Sequence, residues 1–354
     1  MHTRLTERLA LDCPVIQAPM AGVSTPELAA AVSNAGALGS IAIGHIDAET
    51  ARRDIRRTRA LTERAFNINV FCHEPAPSNE TREQAWIEHL RPRFADFGAE
   101  PPERLDEIYQ SFLTDDAKLD VLLDERPAVV SFHFGLPGRE RIEALRAAGI
   151  VLVATATSPG EGQAAQAAGV GLVVAQGWEG RGHRGVFDAP DDQRFGTLAL
   201  TRLLATQLDM PVIAAGGIMD GAGIAAALTL GAAGAQLGTA FVPCPESAAD
   251  ATYRTALAGA PAGRTRVSAA ISGRPARGIE NTFMRQADEM AAPAYPRAYD
   301  LGKALNAAAR ARGDHGYGAW WAGQGAPPCR ALPAAGLVDL LVSETKQALG
   351  VRQI

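Results

Sequence analysis

Eight short runs of apolar, largely β-branched residues recur along the chain, separated by stretches of helical character. They are residues 14–19 (PVIQAP), 38–43 (LGSIAI), 66–71 (FNINVF), 128–134 (AVVSFHF), 150–156 (IVLVATA), 171–176 (GLVVAQ), 211–216 (PVIAAG) and 235–241 (AQLGTAF). Runs this short and nearly continuous suit strands buried on both faces, the pattern of a parallel sheet. Helical stretches lie between them at 26–36, 47–61, 138–149, 159–169, 196–208 and 220–231. Several close in Ala-Gly or Leu-Gly, which suits a helix C-terminus feeding a strand. Ser24-Thr25-Pro26 suits a helix start. Eight alternating units favour an α/β fold closed as a (β/α)8 TIM barrel over an open doubly wound sheet.

The rhythm breaks in two places. Residues 73–113 carry Pro75, Pro77, Pro101, Pro102 and a charged amphipathic stretch, and read as an insertion after the third strand. Residues 245–325 follow the eighth strand with mostly helical patterning and Tyr-containing loops. The expected division is therefore a barrel over 1–244, a helical lid or substrate domain over 245–325, and a segment, 326–354, that returns to the barrel through an amphipathic helix at 335–350. A chain of 354 residues, 47% of them hydrophobic, is long enough to bury such a core.

Composition excludes several classes. The net charge of −5 comes without a basic stripe, so nucleic acid is not an expected partner. The N-terminal stretch lacks the apolar run of a signal peptide, and the longest apolar region, 211–242, is broken by Gly216, Gly217, Asp220 and Gly221. The reading is a soluble cytoplasmic protein without a membrane partner; the patterning sets no oligomeric state. Cys13, Cys72, Cys244 and Cys329 are isolated and read as reduced, mostly buried thiols, and the seven histidines show no metal spacing, so no metal site is expected.

Barrel active sites lie where strands end and the next loops begin. The seventh run ends in Ala215-Gly216-Gly217-Ile218, and the eighth carries Gln236-Leu237-Gly238-Thr239. Glycines let a backbone approach a phosphate, whose oxygens take amide N–H groups; the same glycines also serve tight βα turns. The sixth run leads into Gln176-Gly177-Trp178-Glu179-Gly180-Arg181-Gly182-His183-Arg184-Gly185. His183 sits on this loop, where a histidine can accept a carbon-bound proton near neutral pH or make a single surface hydrogen bond. Arg184 either attracts an anion or is solvated. The first run ends in Gln17-Ala18-Pro19-Met20-Ala21-Gly22; Pro19 bars an ordinary strand interior, and Met20 suits packing against a planar ring. Asn69, an amide in an apolar strand, needs partners, and His133 reads as a core or a pocket histidine. No nucleophile elbow, P-loop or Rossmann glycine fingerprint is present.

Taken together these segments resemble the nitronate monooxygenases, formerly called 2-nitropropane dioxygenases. The matching stretches are Gln17–Gly22, Asn67–Phe71, Gln176–Gly185, Ala214–Ile218, Gln236–Thr239 and Trp321-Ala322-Gly323-Gln324-Gly325, in order along nearly the whole chain. The resemblance implies a barrel holding FMN without a covalent link. Ala18, Pro19, Met20 and Ala21 would line the flavin by backbone. Asn69 and Gln176 would bond its polar edge, with Arg181 and Gly182 beside it. Gly216, Gly217, Gln236, Leu237, Gly238 and Thr239 would hold the phosphate end, and Gln324 would reach the flavin from the C-terminal segment. His183 matches the family's active-site histidine. One departure stands out: the family usually carries Gly where this chain has Arg181, whose side chain must point away or reach an anion.

The chemistry implied is oxidative denitrification of a small anionic nitronate, such as propionate 3-nitronate, with dioxygen to a carbonyl compound and nitrite or nitrate. His133, Tyr109, Tyr299 and Lys303 are candidates for lining the substrate pocket, Lys303 for pairing with a substrate carboxylate. Two other readings compete. One keeps FMN on the same barrel but makes the protein an NAD(P)H-dependent enoyl-thioester or quinone reductase. The other is a flavin-free barrel for a phosphorylated ligand; none of the eight runs contains the Lys that Schiff-base chemistry needs.

Overall fold

The strands alternate side chains between two apolar environments, and this alternation sets the architecture. The computed structural model describes residues 1–287 and 290–350; positions 288–289 and 351–354, within the two C-terminal regions delimited above, lie outside the described residues. In chain order the strands are Val15–Gln17 (β1), Gly39–Ala42 (β2), Phe66–Phe71 (β3), Val129–His133 (β4), Val151–Ala156 (β5), Leu172–Gln176 (β6), Gly182–His183 (β7), Val212–Ala215 (β8), Gly234–Leu237 (β9), Thr265–Ser268 (β10) and Ala276–Ile279 (β11). Eight of them form one parallel sheet in the order β1-β9-β8-β6-β5-β4-β3-β2. A parallel bridge between Ile16 and Leu38 joins the two edge strands and closes the barrel, with Gln17 N donating to Leu38 O at 2.9 Å.

Outward residues such as Ile68, Val130, Leu152 and Val173 pack with the surrounding helices. Inward residues Val129, Val153, Leu172, Val174 and Ile213 form a separate cluster with Leu5 and Leu9 of the helix Arg4–Leu9, which plugs the barrel's lower end. Burying an aliphatic side chain of this size fully contributes about 1.5–3 kcal/mol. Towards the strands' C-terminal ends the same inward positions turn polar: Asn69, Ser131, His133, Thr155, Gln176 and Gln236 all line one cavity. A strand's two-residue period thus gives a dry lower core and a polar upper rim.

The barrel helices fall where the sequence pattern places them: Pro26–Asn34, Ala48–Leu61, Arg139–Ala147, Pro159–Ala167, Thr197–Gln207 and Gly221–Thr229. Thr25, Asp47, Ser158 and Asp220 each accept a hydrogen bond from the first turn of their helix, satisfying N–H groups that lack intrahelical partners. The eighth run is shorter than its sequence suggests. Its strand stops at Leu237, and Thr239–Phe241 form a 3-10 turn beyond Gly238.

Above the rim, the helix Glu80–Asp96 from the 73–113 region buries Trp86, Ile87, Leu90 and Phe94 against Leu301, Leu305 and Ala309 of the helix Arg297–Ala311. The helix Ala334–Ala348 packs Leu337, Val338 and Leu341 with Leu28, Val32 and Ile224 of two barrel helices. Residues 245–325 also hold β10 and β11, which helical patterning does not anticipate; β11 pairs antiparallel with β10 and with β7. Among the described residues no helix is long and apolar enough to cross a membrane, no cluster of His, Cys, Asp and Glu has the arrangement of a metal site, and the four cysteines are free.

Candidate active site

The polar rim opens into two joined spaces. The larger is a cleft of about 1080 Å³, counting its open mouth, and the smaller an adjoining recess of about 510 Å³. Ala18, His133, Thr155, Val174, Gln176, Arg181 and Gln236 line both. Neither lining contains an aspartate or glutamate, while Arg181 faces both and Lys303 faces the cleft. A wall of amides, hydroxyls and cations without carboxylates favours an anionic occupant.

The recess is built by the ends of β8 and β9 and by the late Gly-rich segment: Gly216, Gly217, Ile218, Gly238, Thr239, Gly323 and Gly325. Gly217 has φ +71° and Gly216 φ +121°, conformations that disfavour side chains. A Cβ on Gly325 would lie 2.4 Å from Gly217 O, so only glycine allows the two segments to meet. Gly323 N donates to Thr239 Oγ1 at 3.0 Å. Glu179 accepts from Thr197 N and Thr197 Oγ1, both at 2.8 Å, tying the loop after β6 to the next helix.

His183 stands at the cleft's inner wall, in β7, opposite Ala276 of β11; the sequence suggests a loop there. Its carbonyl accepts from Gln176 Nε2 at 3.1 Å and lies 3.3 Å from His133 Nε2. His133 Nδ1 meets Thr155 Oγ1 at 3.1 Å. Gln176 Oε1 accepts from Gly185 N at 2.7 Å. The Gln176 amide, which lines both spaces, thus ties the end of β6 to the His183 loop. Burial, followed by the neighbouring His133, Arg274, Arg181 and His73, pushes His183 down to about 3, so the imidazole is neutral at physiological pH. Phe134, Tyr295, Tyr299 and Trp321 surround it, with ring centroids 5.3–6.1 Å away.

Most sequence-derived candidates converge here. Ala18, Pro19, Met20, Ala21, Asn69, Gly182, Tyr109, Tyr299 and Lys303 line the cleft with His133 and His183. Asn69 Nδ2 donates to Ser131 O and Ser131 Oγ at 3.1 and 3.0 Å. Lys303 Nζ lies over the rings of Tyr109 and Tyr299, 4.8 and 5.3 Å from their centroids.

Three candidates sit differently. The Leu237 side chain is buried in the core, and only its backbone acts at the rim, its carbonyl accepting from Ala18 N at 2.8 Å. Gln324 is exposed and lines another cavity, with Glu179, Thr197 and Leu198, while its neighbours Gly323 and Gly325 line the recess. Arg184 neither faces an anion site nor is solvated: it is 1% exposed and pairs with Asp192 at 2.8 Å.

Arg181 does not leave the site. Its stem crosses Gly238, where a Cβ would lie 2.7 Å from Arg181 Cδ, and its guanidinium donates to Trp321 O at 3.2 Å and Tyr253 Oη at 3.3 Å. Ser131 and Thr155 are missed by motif reading, although their two-residue spacing from neighbouring inward positions marks them. Tyr295 comes from the upper region, where no strand period identifies a cleft-facing side chain, and Ser272 and Arg274, outside the cleft lining, meet His183 and Phe134 from the same region.

The family model for nitronate monooxygenase matches residues 2–344. The chain belongs to the nitronate monooxygenase family. It is 59% identical over 346 residues to a nitronate monooxygenase of Paraburkholderia phytofirmans, covering 96% of this chain and 94% of the relative. It is 55% identical over 350 residues to one from Pseudomonas aeruginosa, covering 98% and 100%. A solved nitroalkane oxidase from Streptomyces ansochromogenes is 42% identical and superposes with a TM-score of 0.91, covering 98% of this chain and 99% of that one. Membership of the nitronate monooxygenases makes this chain an oxidoreductase of a flavin-dependent family with the barrel fold.

Proposed function

We propose that the protein oxidises small alkyl nitronates, propionate 3-nitronate among them, with dioxygen, using FMN held without a covalent bond. The observation that carries this reading is the carboxylate-free double cavity, with a glycine recess at one end and a neutral histidine at the other. The recess fits a phosphate: glycine backbone comes close, Thr239 adds a hydroxyl and Arg181 a positive charge. Ala18–Ala21, with Asn69 and Gln236, fit the edge and face of a flat ring system. When bound, FMN supplies the electron acceptor for the nitronate and the route by which dioxygen is reduced.

The chain's own residues then have three tasks. Lys303, steadied over Tyr109 and Tyr299, binds the anionic tail of the substrate. His183 faces the nitro group as a neutral imidazole and takes the α-proton of a neutral nitroalkane; a nitronate arrives already deprotonated. The helix Arg297–Ala311, backed by Glu80–Asp96, holds Tyr299 and Lys303 at the cleft and narrows the access of water to it.

The test is a visible spectrum of the purified protein, identification of the released cofactor by mass, and oxygen uptake with propionate 3-nitronate. A yellow protein that releases FMN and consumes oxygen with the nitronate is expected. Flavin bleached by NADH or NADPH, with no response to nitronate, would assign a reductase instead. A protein that stays colourless after incubation with FMN would refute the cofactor.

A further inference from the structure

Among the described residues one ring atom of His183 is hydrogen bonded: Nε2 lies 2.9 Å from Ser272 Oγ. Ser272 is fully buried, and its hydroxyl lies 3.1 Å from the carbonyl oxygen of Arg274. A hydroxyl has one proton to give and lone pairs to accept with, whereas a carbonyl only accepts. With the Ser272 proton on Arg274 O, Ser272 Oγ must accept from an N–H at His183 Nε2. A neutral imidazole carries a single N–H, so Nδ1 is left with the bare lone pair.

The turn that holds Ser272 is fixed from several sides. Gly273 has φ +86°, and a Cβ there would lie 2.2 Å from Pro293 O. The Arg274 guanidinium sits 4.5 Å from the centroid of Phe134 and donates to Val186 O. His183 is held on its own side by pairing with Ala276 and by the contacts of Gln176 and His133 with its carbonyl.

We propose that Ser272 is a positioning residue that locks His183 in the Nε2–H form, making Nδ1 the atom that receives the α-proton of a neutral nitroalkane. This rests on the reading of His183 given under Proposed function. In the step, the substrate C–H bond breaks and an N–H bond forms at Nδ1. The C–H electron pair moves into a C=N bond, and the negative charge settles on the nitro oxygens, giving the nitronate. His183 becomes an imidazolium whose Nε2–H still donates to Ser272. A nitronate arrives without that proton and bypasses the step. Ser272 therefore matters for neutral nitroalkanes and little for nitronates.

The experiment is nitrogen-15 NMR of histidine-labelled holoenzyme, with Ser272→Ala and Ser272→Thr assayed on nitroethane and on its preformed nitronate. The wild type is expected to show His183 protonated at Nε2, and Ser272→Ala to lose that single form. Ser272→Ala should lower kcat/KM for nitroethane about 10-fold to 100-fold, as loss of an orienting partner does, and leave the nitronate within about twofold. Ser272→Thr keeps the hydroxyl and should restore much of the nitroethane rate. A wild-type His183 protonated at Nδ1 would overturn the proposal, as would Ser272→Ala with wild-type nitroethane kinetics. A wild-type Nε2–H signal with no turnover of either substrate would support the lock while overturning the assigned reaction.

Discussion

Replacing Arg184 with methionine tests whether the loop that carries His183 is held by one buried cation. Arg184 meets Asp192 through two hydrogen bonds, at 2.8 and 3.1 Å, and donates to the carbonyls of Gln176 and Gly177 at 3.1 and 2.9 Å. Its guanidinium lies 5.3 Å from the centroid of the Trp178 ring. Burial pushes Asp192 up, but hydrogen bonds from Arg184 and the Arg194 amide, with the charges of both arginines, outweigh it and hold the carboxylate below its ordinary range. Methionine fills much of the volume but leaves Asp192 without its partner and two carbonyls without a charged donor. Removing one member of a buried pair costs about 3–5 kcal/mol; the lost carbonyl contacts are part of the same event and are not added again. Urea unfolding should show a lower midpoint with an unchanged slope. The double variant Arg184→Met with Asp192→Asn should lose less than the sum of the two single changes, because no unpaired charge remains. A loss below about 1 kcal/mol in Arg184→Met, the range of exposed ion pairs, would refute the argument.

Three other perturbations follow from the site. Gly325→Ala places a Cβ against Gly217 O and should cut cofactor occupancy at the recess; a full complement of tightly held FMN in the purified variant would contradict that. Lys303→Met should raise KM for propionate 3-nitronate about 10-fold to 100-fold, the worth of a charge-assisted bond of about 1.5–3 kcal/mol, and leave a nitronate without a carboxylate nearly unaffected; equal effects on both would argue against tail recognition. Burial above all pushes His45, His73 and His133 down to about 4 and His183 to about 3. An unfolded histidine titrates near pH 6.5, so between there and pH 4 the unfolded chain binds protons that the native one refuses. Stability should be greatest above that range and fall as pH drops, by up to roughly 2 kcal/mol per imidazole at pH 5. A melting temperature unchanged between pH 7 and pH 5 in the cofactor-free protein would show that these rings take up protons in place.

The barrel was legible because its strands are apolar on both faces and its helices carry caps at their starts. What the apolar runs hide is direction: Val129 and Val130 look alike in sequence, yet one faces the interior and the other the helices. Only the polar members, such as Ser131 and Thr155, betray the inward set. The end of β9 was overrun because Gly238 breaks the ladder while the apolar character continues through Phe241. Around the cleft, the glycine loops and His183 announce themselves by composition. Tyr295, which lines the cleft, and Ser272, which meets His183 from outside its lining, do not, because they arrive through packing between residues distant in the chain. Arg184 misleads for a different reason: its partner, Asp192, is close in sequence, but nothing local signals that the pair is buried.

The two-residue strand β7 makes His183 part of the same sheet as β10 and β11. Ser272, in the turn between β10 and β11, belongs to the same sheet, so the hydroxyl and the imidazole it meets share one backbone frame. That frame is joined to the barrel through the contacts of Gln176 and His133 with the His183 carbonyl, so two separate parts of the fold meet at one peptide group.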